Sequence, residues 1–392
     1  MKKVIFFTNG LVGVGGAERV LLEAVLHFQS KGIKVKIVTF VLNQDALMKY
    51  KDKVSVDVLY SRNYFQRIVR LREKLLKLHP DLIICQSSLD CMYVYLAGLG
   101  LNIPYISYIH GSLFWLENEY LKYAVIHKSV FNKVRNSVFG HKQFVQKKVF
   151  LPLKENIFFN IAAIADYFAV RKAKKLIVLT KQIQWEVQQL YGRKAVVVRG
   201  CLDKILLDYK PNLDIHKKYK IAKNKKIIIS IGRLDTRKRV DVLVKAFLQQ
   251  CEKQKDIVLL IGGRGPDKER IEQMIQNSKY KSKIKMLGFV KDEEYFDHLA
   301  GCDIFAFPSW TTSGIPTYEA LALGKKVIWT TEAEEPVLTH PNVYTADPTV
   351  ETFVEAIDKA LHSSLYPKPD LREHTWEKYF GKLFAIAERV SK

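Results

Sequence analysis

Short apolar runs alternate with helical patterns along the whole chain. In the first half, runs rich in Val and Ile predict strands at Val4–Thr8, Lys34–Thr39, Leu82–Cys85, Tyr105–Ile109, Leu176–Leu179 and Ala195–Val198. Apolar residues spaced three and four apart predict helices at Gly16–Lys31 and Lys181–Tyr191. Because parallel strands need crossover connections, this alternation predicts a parallel sheet with helices on both faces.

The same pattern starts again after Cys201. A second set of buried strands is predicted at Lys226–Gly232, Val258–Ile261, Lys285–Gly288, Ile304–Phe307 and Lys326–Trp329. Helices are predicted between them at Val240–Lys253, Lys268–Ser278, Glu293–Ala300 and Thr317–Leu323. Two successive sets predict two doubly wound α/β domains, with a boundary near Asp203–Asn212, where Pro211 and polar residues interrupt the pattern. A last amphipathic helix, Trp376–Val390, is followed by no strand.

Length and composition agree with this organisation. A chain of 392 residues is long enough for two domains, and its 48% hydrophobic residues exclude disordered, collagen-like and disulfide-dense classes. The five cysteines are scattered and form no CxxC pair, so we expect no metal site, no disulfide framework and a cytoplasmic location. No stretch reaches the roughly 20 apolar residues of a membrane-spanning helix. We therefore expect a protein that is soluble or lies on a surface.

The whole chain has a net charge of +23, and most of the excess positive charge lies in its first half. Residues 1–200 carry 31 Lys+Arg and 13 Asp+Glu, whereas residues 201–392 carry 32 and 27. Residues 121–175 alone carry 12 basic and 2 acidic side chains, interleaved with aromatic residues. This mixture suits an anionic membrane surface or a nucleic acid, and also a solvated basic face over an ordinary core. No RNA- or DNA-binding module is apparent in the sequence, so we expect no nucleic-acid partner.

A second basic element is the helical pattern over Arg67–Leu78. Ile68, Leu71, Leu75 and Leu78 form one apolar stripe, and basic residues lie opposite. The pattern is typical of a helix that docks on an anionic bilayer, and it fits a core helix with a polar outer face equally well.

A glycine-rich turn follows the first predicted strand, where ligands of such sheets bind. The turn, Thr8–Arg19, opens a helix whose backbone N–H groups are suited to phosphate. Its Gly13-Val14-Gly15-Gly16 spacing is not GxGxxG, and no acidic residue ends the second strand. A dinucleotide site is therefore disfavoured.

Three further loops follow strands of the second half. The loop after its first strand carries Arg233 and Lys238, which can neutralise a diphosphate as a bidentate fork and a point charge. The turn Gly262–Pro266 has glycines that let backbone approach a ligand. Pro308–Ala320 places hydroxyls and backbone amides before a helix that carries Glu319, a possible acceptor for sugar hydroxyls. Each residue also has a purely structural interpretation, but four such loops together favour a phosphate-containing ligand.

These motifs resemble the GT-B glycosyltransferases of family 4, a retaining group similar to glycogen synthases and mannosyltransferases. The motifs are Gly15-Gly16-Ala17-Glu18-Arg19, Gly232-Arg233-Leu234 with Lys238, Gly263-Arg264-Gly265-Pro266, Leu287-Gly288-Phe289-Val290, and Gly314-Ile315-Pro316 leading to Glu319-Ala320. The resemblance covers nearly the whole chain and is stronger in the second half. It implies two Rossmann-like domains facing each other across a cleft: residues 1–205 bind the acceptor and residues 206–374 bind the nucleotide sugar. Residues 375–392 would form a helix that crosses back onto the first domain.

The resemblance also implies roles for single residues. Arg233 and Lys238 would hold the donor diphosphate, Glu319 the ribose, and Gly16 the phosphate from the first domain. His110, after a first-domain strand, would be catalytic and lie beside the reacting sugar. Phe289 and Val290 would lie near the base, and the backbone amides of Gly314, Ile315 and Pro316 would bind the donor sugar and phosphate. The full donor-binding set is Gly15, Gly16, Arg264, Phe289, Val290, Thr311, Gly314, Ile315, Pro316 and Glu319.

The implied reaction transfers a sugar from a nucleotide-diphosphate sugar with retention and with no bound metal or other cofactor. Without Mg²⁺, the charge that develops on the leaving diphosphate must be met by fixed cations and amide dipoles. The basic first domain favours a lipid-linked glycan or glycolipid as acceptor, and a peripheral position on the cytoplasmic, inner face of the membrane. A soluble transferase that acts on a protein or small molecule is an alternative.

Thr311 departs from the family pattern. The family usually has two glutamates eight residues apart in this loop, and Thr311 stands where the earlier one is expected before Glu319. A threonine can bond a sugar hydroxyl but is not a charged acceptor. This leaves the donor sugar open, and a catalytically silent subunit that binds a partner enzyme is a further alternative.

Overall fold

The computed structural model describes residues 1–13, 16–47, 50–111, 113, 153–199, 202–309, 314–331 and 336–392. Much of the basic, aromatic segment at 121–175 lies outside these residues. The chain divides into two compact units: unit 1 comprises Met1–Arg199 and Glu377–Lys392, and unit 2 comprises Gly200–Trp376.

Unit 1 is built on a parallel sheet. Its strands are β1 (Lys3–Thr8), β2 (Lys34–Thr39), β3 (Val56–Val58), β4 (Leu82–Cys85), β5 (Tyr105–Ile109), β6 (Lys175–Val178) and β7 (Val196–Val197). In the described part of unit 1 they pair in the order β3-β2-β1-β4-β5-β6-β7, and every pair is parallel. All four residues of β4 are buried, as expected for a central strand with helices on both faces. The chain order reverses between β1 and β4, which makes this the switch point of the sheet.

The helices of unit 1 that precede unit 2 in the chain are α1 (Gly16–Ser30), α2 (Tyr64–Leu78), α3 (Ser88–Ala97), α4 (Leu153–Lys172) and α5 (Lys181–Tyr191). Three of them begin at a polar side-chain cap. The side chains of Asn63, Ser87 and Thr180 each accept the backbone N–H three residues further on, which fixes the first turns of α2, α3 and α5. In α2, Leu71 and Leu75 are buried, so this helix covers the sheet with part of the predicted stripe.

Unit 2 repeats the architecture. Its strands are β8 (Lys226–Ile231), β9 (Ile257–Gly262), β10 (Ile284–Gly288), β11 (Ile304–Phe307), β12 (Lys326–Thr330) and β13 (Val343–Ala346). Its helices are α6 (Ile215–Lys218), α7 (Val240–Lys253), α8 (Lys268–Gln276), α9 (Asp292–Gly301), α10 (Ile315–Ala322) and α11 (Val350–His362). The strands are parallel in the order β10-β9-β8-β11-β12-β13. Ile227 and Ile229 join one apolar cluster and Ile228 the other, so the sheet has a core on each face. The predicted class of two doubly wound α/β units is confirmed.

The C-terminal helix α12 (Trp376–Val390) follows unit 2 in the chain and packs on unit 1. The rings of Phe28 and Phe384 are 5.0 Å apart, and those of His27 and Phe380 are 5.9 Å apart. None of the helices in the described ranges is long and apolar enough to cross a membrane.

Candidate functional site

A pocket lies at the switch point of unit 2. β8 and β11 are neighbours, and the chain order reverses between them, so their carboxyl ends are the expected ligand-binding edge. Gly232, Arg233, Lys238, Phe307 and Pro308 line this pocket. Two of the predicted diphosphate ligands therefore share one pocket with the residues that begin the loop after β11.

Asp235 holds the loop after β8 in place. Its side chain is buried, accepts the backbone N–H of Arg237, and lies 2.9 Å from the Arg237 guanidinium. Arg233 Nε is 3.5 Å from the same carboxylate, whereas the Arg233 side chain remains 67% exposed. The loop thus orients Arg233 from one end and leaves most of its surface accessible to a ligand.

Lys238 stands on an aromatic surface in the same pocket. Its Nζ is 4.9 Å from the centre of the Phe307 ring, and its backbone N–H donates to the Asp235 carbonyl. Burial lowers the pKa of Lys238 to about 8. The Asp235 carboxylate raises this pKa, whereas the guanidiniums of Arg237 and Arg233 lower it further. An anionic ligand would offset the cost of keeping this ammonium charged.

Gly263 and Gly265 let two loops touch. A Cβ on Gly263 would lie 1.8 Å from the Gly232 carbonyl oxygen, and one on Gly265 would lie 2.1 Å from that of Leu234. Both glycines have positive φ, at +140° and +159°. The contact is sealed by the Leu234 N–H, which donates to the Arg264 carbonyl at 2.9 Å.

Arg264, Phe289 and Val290 gather where β9 and β10 end. The Arg264 guanidinium lies 5.2 Å from the centre of the Phe289 ring, and Phe289 is 43% exposed. Val290 packs closely on Gly262, because a Cβ on that glycine would be 2.7 Å from the Val290 side chain. An exposed aromatic ring beside a cation offers a flat surface suited to a nucleobase.

The start of α10 provides two of the three predicted amide donors. Gly314 is packed against Trp329, since a Cβ there would lie 2.3 Å from the indole. Pro316 has no backbone N–H, so its predicted role as a donor is wrong, and proline instead sets φ for the first helical turn. The N–H groups of Thr317 and Tyr318 donate to the Gly314 carbonyl. The amides suited to an anion here are those of Gly314 and Ile315.

Glu319 is buried one turn into α10. It is 1% exposed, and Tyr295 of α9 donates its hydroxyl to Glu319 Oε2 at 2.8 Å. The carboxylate is therefore oriented by a neighbouring helix and is not merely a first-turn residue facing solvent.

His110 follows β5 at the ligand-binding edge of unit 1. Its Nε2 lies 2.9 Å from Gln86 Oε1, and the Gln86 amide nitrogen donates to the Ile84 carbonyl. This orientation of Gln86 assigns the imidazole proton to Nε2 and leaves Nδ1 as an acceptor. Nδ1 is buried and has no hydrogen-bond partner among the described residues. Burial lowers the pKa of His110 to about 3, so the ring is neutral at physiological pH.

The remaining predicted residues are divided between the units. Gly16 begins α1 in unit 1, whereas Gly15 and Thr311 lie outside the described residues. Arg233, Lys238, Arg264, Phe289, Val290 and the α10 residues all belong to unit 2. The described residues contain no group of three or more His, Cys, Asp or Glu side chains that could hold a metal ion.

Several contacting residues were not predicted from the sequence. Phe307 lies under Lys238, Tyr295 orients Glu319, and Gln86 orients His110. Phe307 ends a predicted strand next to a predicted binding loop, which is a usable signal. Tyr295 and Gln86 act on residues 24 positions away, and no local pattern indicates such pairs.

Two family models together match most of the chain. Glycosyltransferase Family 4 matches residues 14–203, and Glycosyl transferases group 1 matches residues 212–378. An uncharacterized glycosyltransferase of Haemophilus influenzae is 23% identical over 84% of this chain and 80% of its own length.

A further set of relatives matches only in part. The Phosphatidylinositol N-acetylglucosaminyltransferase GPI3 subunit of Saccharomyces cerevisiae is 29% identical over 160 residues, which is 40% of this chain and 35% of that protein. A human Phosphatidylinositol N-acetylglucosaminyltransferase subunit is 28% identical over 170 residues, which is 42% of this chain and again 35% of that protein. The match thus spans about a third of each of these relatives.

Solved structures share the whole fold. A glycosyltransferase from Rickettsia africae superposes with a TM-score of 0.72 at 18% identity, covering 100% of this chain and 99% of that one. Anabaena Alr3699/HepE, solved in complex with UDP, superposes with a TM-score of 0.68 at 18% identity over 100% and 96%. At these identities the likeness is one of fold.

Proposed function

Because the chain belongs to family 4 of the GT-B glycosyltransferases, we propose that it is a retaining enzyme that needs no metal. Its donor is a nucleotide-diphosphate sugar, and its acceptor is a lipid-linked glycan or glycolipid. The observation that carries the proposal is the pocket at the end of β8, which Arg233 and Lys238 line together and which thereby concentrates two positive charges at the ligand-binding edge of the sheet.

The two cations suit the leaving group of this reaction. Cleavage of a sugar from a diphosphate places growing negative charge on the β-phosphate, and fixed positive groups lower the barrier by stabilising it. Arg233 presents a planar guanidinium, and Lys238 adds a point charge whose burial makes pairing with an anion favourable. The amides of Gly314 and Ile315 would add dipoles at the start of α10.

The proposed chemistry needs no base from the protein. The bond between the donor sugar's C1 and the phosphate oxygen breaks, and the acceptor hydroxyl oxygen bonds to C1 on the same face. The proton of that hydroxyl passes to the departing phosphate oxygen, which leaves as the nucleoside diphosphate. The neutral His110 would bind rather than transfer a proton, because its Nδ1 can accept a hydrogen bond from a sugar hydroxyl.

Glu319 and the Phe289 region would hold the nucleoside. The Glu319 carboxylate, oriented by Tyr295, is a suitable acceptor for ribose hydroxyls. Arg264 and Phe289 form the flat, partly exposed surface on which a base could stack. UDP is the first nucleotide to test, since a protein of the same fold was solved with it.

The lipid-linked acceptor and the inner membrane face rest on charge and on the relatives' names. The first half of the chain has 31 Lys+Arg against 13 Asp+Glu, and α2 exposes Phe65 at 75% and Leu76 at 45%. Several partial relatives are called phosphatidylinositol N-acetylglucosaminyltransferase subunits. A peripheral protein at an anionic membrane surface accounts for both.

Two alternatives remain to be tested against this proposal. Thr311, in place of the family's earlier glutamate, motivates the alternative of a silent subunit that binds a partner enzyme. The presence of Arg233, Lys238 and Glu319 argues against it. A soluble transferase that acts on a protein or small molecule would use the same donor pocket without needing a basic membrane-facing surface.

Calorimetric titration of the purified protein with UDP and with GDP, first in EDTA and then with Mg²⁺, tests the donor site. The proposal expects micromolar binding of one nucleotide that is unchanged by metal, and loss of that binding in the double variant Arg233→Ala, Lys238→Ala. Binding that requires metal would overturn metal independence. The silent subunit is favoured if neither nucleotide binds. A screen of sugars on the bound base, with anomeric configuration read by NMR, then tests retention.

A further inference from the structure

Arg67 lies at the switch point of unit 1 and is not one of the residues assigned to the donor site in unit 2. Asn9 follows β1, Gln86 follows β4, and His110 follows β5, so three polar residues end three adjacent strands. Neighbouring strands are about 4.8 Å apart, which places these strand ends within roughly 10 Å of each other. Arg67 of α2 reaches this edge and donates from Nη1 to Asn9 Oδ1 at 3.0 Å.

The guanidinium of Arg67 is held on aromatic rings. It lies 5.2 Å from the centre of the Phe40 ring and 5.5 Å from that of Tyr64. The Tyr93 hydroxyl lies 3.5 Å from Nη1, and the Asn9 backbone N–H donates to the buried carboxylate of Asp90. Aromatic contacts restrict the guanidinium plane without using its N–H groups. The side chain is therefore positioned before any ligand arrives.

Arg67 has no carboxylate partner in the part of the chain that the structure describes. By contrast, Arg270 donates to Asp241 and Asp267, and Arg372 donates to Asp370. Arg72, on the next turns of α2, donates to two backbone carbonyls. Among the described residues, Nη1 of Arg67 has hydrogen-bond partners, whereas Nε and Nη2 have none and are left as donors for a ligand.

We propose that Arg67 binds a phosphate ester of the acceptor. The proposal rests on the proposed function, since it takes unit 1 as the acceptor-binding unit. A guanidinium fixed over aromatic rings, with two donors pointing away from its anchor, fits the two oxygens of a phosphate. A neutral sugar acceptor would not need a cation kept unpaired at this edge.

The surroundings of Arg67 favour a lipid as the source of that phosphate. Tyr64 and Phe65 precede it in the first turn of α2 and are 49% and 75% exposed. These apolar groups suit the acyl chains next to a lipid phosphate. A soluble phosphate ester has the same anion without the chains, so the two sources are separable by experiment.

The test is calorimetric binding to the full chain with three probes. They are dihexanoyl-phosphatidylinositol below its micelle concentration, glycerophosphoinositol, and dihexanoylglycerol, which has the chains but no phosphate. We expect dihexanoyl-phosphatidylinositol to bind and dihexanoylglycerol not to bind. Dihexanoyl-phosphatidylinositol binding tenfold tighter than glycerophosphoinositol identifies a lipid source, and equal affinities identify a soluble one.

Variants of α2 decide whether Arg67 is responsible. Arg67→Gln should weaken phosphate-probe binding by roughly 10- to 100-fold, since a hydrogen-bonded ion pair is lost. Arg67→Lys keeps the charge but not the planar fork and should weaken it by a smaller factor. Arg70→Gln is the matched control, because Arg70 is exposed on the same helix and carries the same charge.

The outcomes separate this inference from the proposed function. Phosphate-probe binding that survives in both Arg67 variants, or that falls equally in Arg70→Gln, overturns the role of Arg67. So does a wild-type protein that binds no phosphate probe. UDP affinity should be unchanged in Arg67→Gln, so a failure of the donor proposal is seen in wild-type UDP titration and not here. If Arg67→Gln lowers the thermal transition, Arg67→Lys alone decides.

Discussion

The ammonium nitrogen of Lys238 lies 4.9 Å from the centre of the Phe307 ring, on the wall of the pocket that also holds Arg233. The ring provides an attractive face but no hydrogen bond, so the ammonium loses water without gaining an acceptor there. Burial accordingly lowers the pKa of Lys238 to about 8. The charge that should meet a diphosphate is thus present at neutral pH and lost in mild alkali.

Nucleotide affinity should therefore fall as the pH rises through this pKa. The protonated lysine binds the diphosphate and the neutral amine does not, so the dissociation constant for UDP should rise between about pH 7 and pH 9.5. Lys238→Arg retains its charge over the whole range and should give a flatter profile. Titration calorimetry in buffers of matched ionic strength measures both. Identical profiles for wild type and Lys238→Arg would contradict the assignment.

Arg233→Ala should impair catalysis without affecting folding. The side chain is 67% exposed, so its removal should change the free energy of unfolding by less than about 0.5 kcal/mol. If the guanidinium stabilises the leaving diphosphate, the transfer rate should fall on the order of 100-fold or more. The rate of nucleotide release from the sugar donor identified by screening measures this effect.

A second arginine of unit 2 serves as the control for Arg233. Arg270 is paired with Asp241 at 3.1 Å and Asp267 at 3.0 Å, and it does not line the pocket. Arg270→Ala should leave the transfer rate near that of wild type. Near-normal transfer in Arg233→Ala, or an equal loss in Arg270→Ala, would show that Arg233 does not hold the leaving group.

The same added methyl group should destabilise the protein far more at Gly263 than at Gly232. Gly263→Ala would place a Cβ 1.8 Å from the Gly232 carbonyl oxygen at φ +140°, so we expect the free energy of unfolding to fall by about 3 kcal/mol or more. Gly232→Ala meets no atom within 4 Å and should cost less than about 1 kcal/mol. Urea denaturation of the two variants compares them. Equal stability would mean that the loops after β8 and β9 are not in contact.

Much of the fold was predictable because it depends on local patterns. The predicted bounds of β2, β4, β5, β11, α5, α7 and α12 match the structure. β3 was not predicted, because it has only three residues and a carboxylate at its centre. That carboxylate, Asp57, pairs with Lys36 at 3.2 Å and Lys74 at 2.7 Å, and burial opposes but does not overcome the lowering of its pKa by these lysines. The charge at the centre of this strand is therefore neutralised by residues that are distant in the sequence.

The candidate site divides in the same way. The binding loops were found because each follows a strand and contains residues suited to anions. The partners that orient these residues were not predicted, because each contact forms only when a helix packs on its sheet. Tyr295 of α9 contacts Glu319, and Arg67 of α2 contacts Asn9. The predicted amide of Pro316 is a different kind of error, since the residue type alone excludes it.

His27 should make the protein less stable in mild acid. It is a half-buried residue of α1 whose ring lies next to Phe380 of α12, and its Nε2 is buried with no hydrogen-bond partner among the described residues. Burial lowers the pKa of His27 below 6.5, with Lys31 acting in the same direction and Glu377 against it. The folded state therefore prefers the neutral ring, and stability present above pH 6.5 is lost as the pH falls below that value.

Urea denaturation between about pH 7 and pH 5 measures this loss. His27→Gln should reduce the slope of unfolding free energy against pH, by at most about 1.4 kcal/mol per pH unit. His362→Gln is the control, because His362 is exposed at the end of α11, where it contacts Asp358 and the Gln254 amide on the surface. A slope unchanged in His27→Gln would mean that the ring charges freely in the folded protein.

The exposed side of α2 predicts how the protein meets a bilayer. Phe65 is 75% exposed and is followed along the helix by basic residues, so attraction to anionic lipid should be supported by insertion of the ring. We expect sedimentation with vesicles of phosphatidylcholine and phosphatidylglycerol in equal parts, and not with phosphatidylcholine alone. Raising the salt from 0.1 M to 1 M shortens the Debye length from about 10 Å to about 3 Å and should release the protein.

Phe65→Ser should weaken vesicle binding several-fold, whereas Leu365→Ser, at an exposed apolar position of unit 2, should not. Binding that ignores salt, or that is lost equally in both variants, would exclude α2 as the docking element.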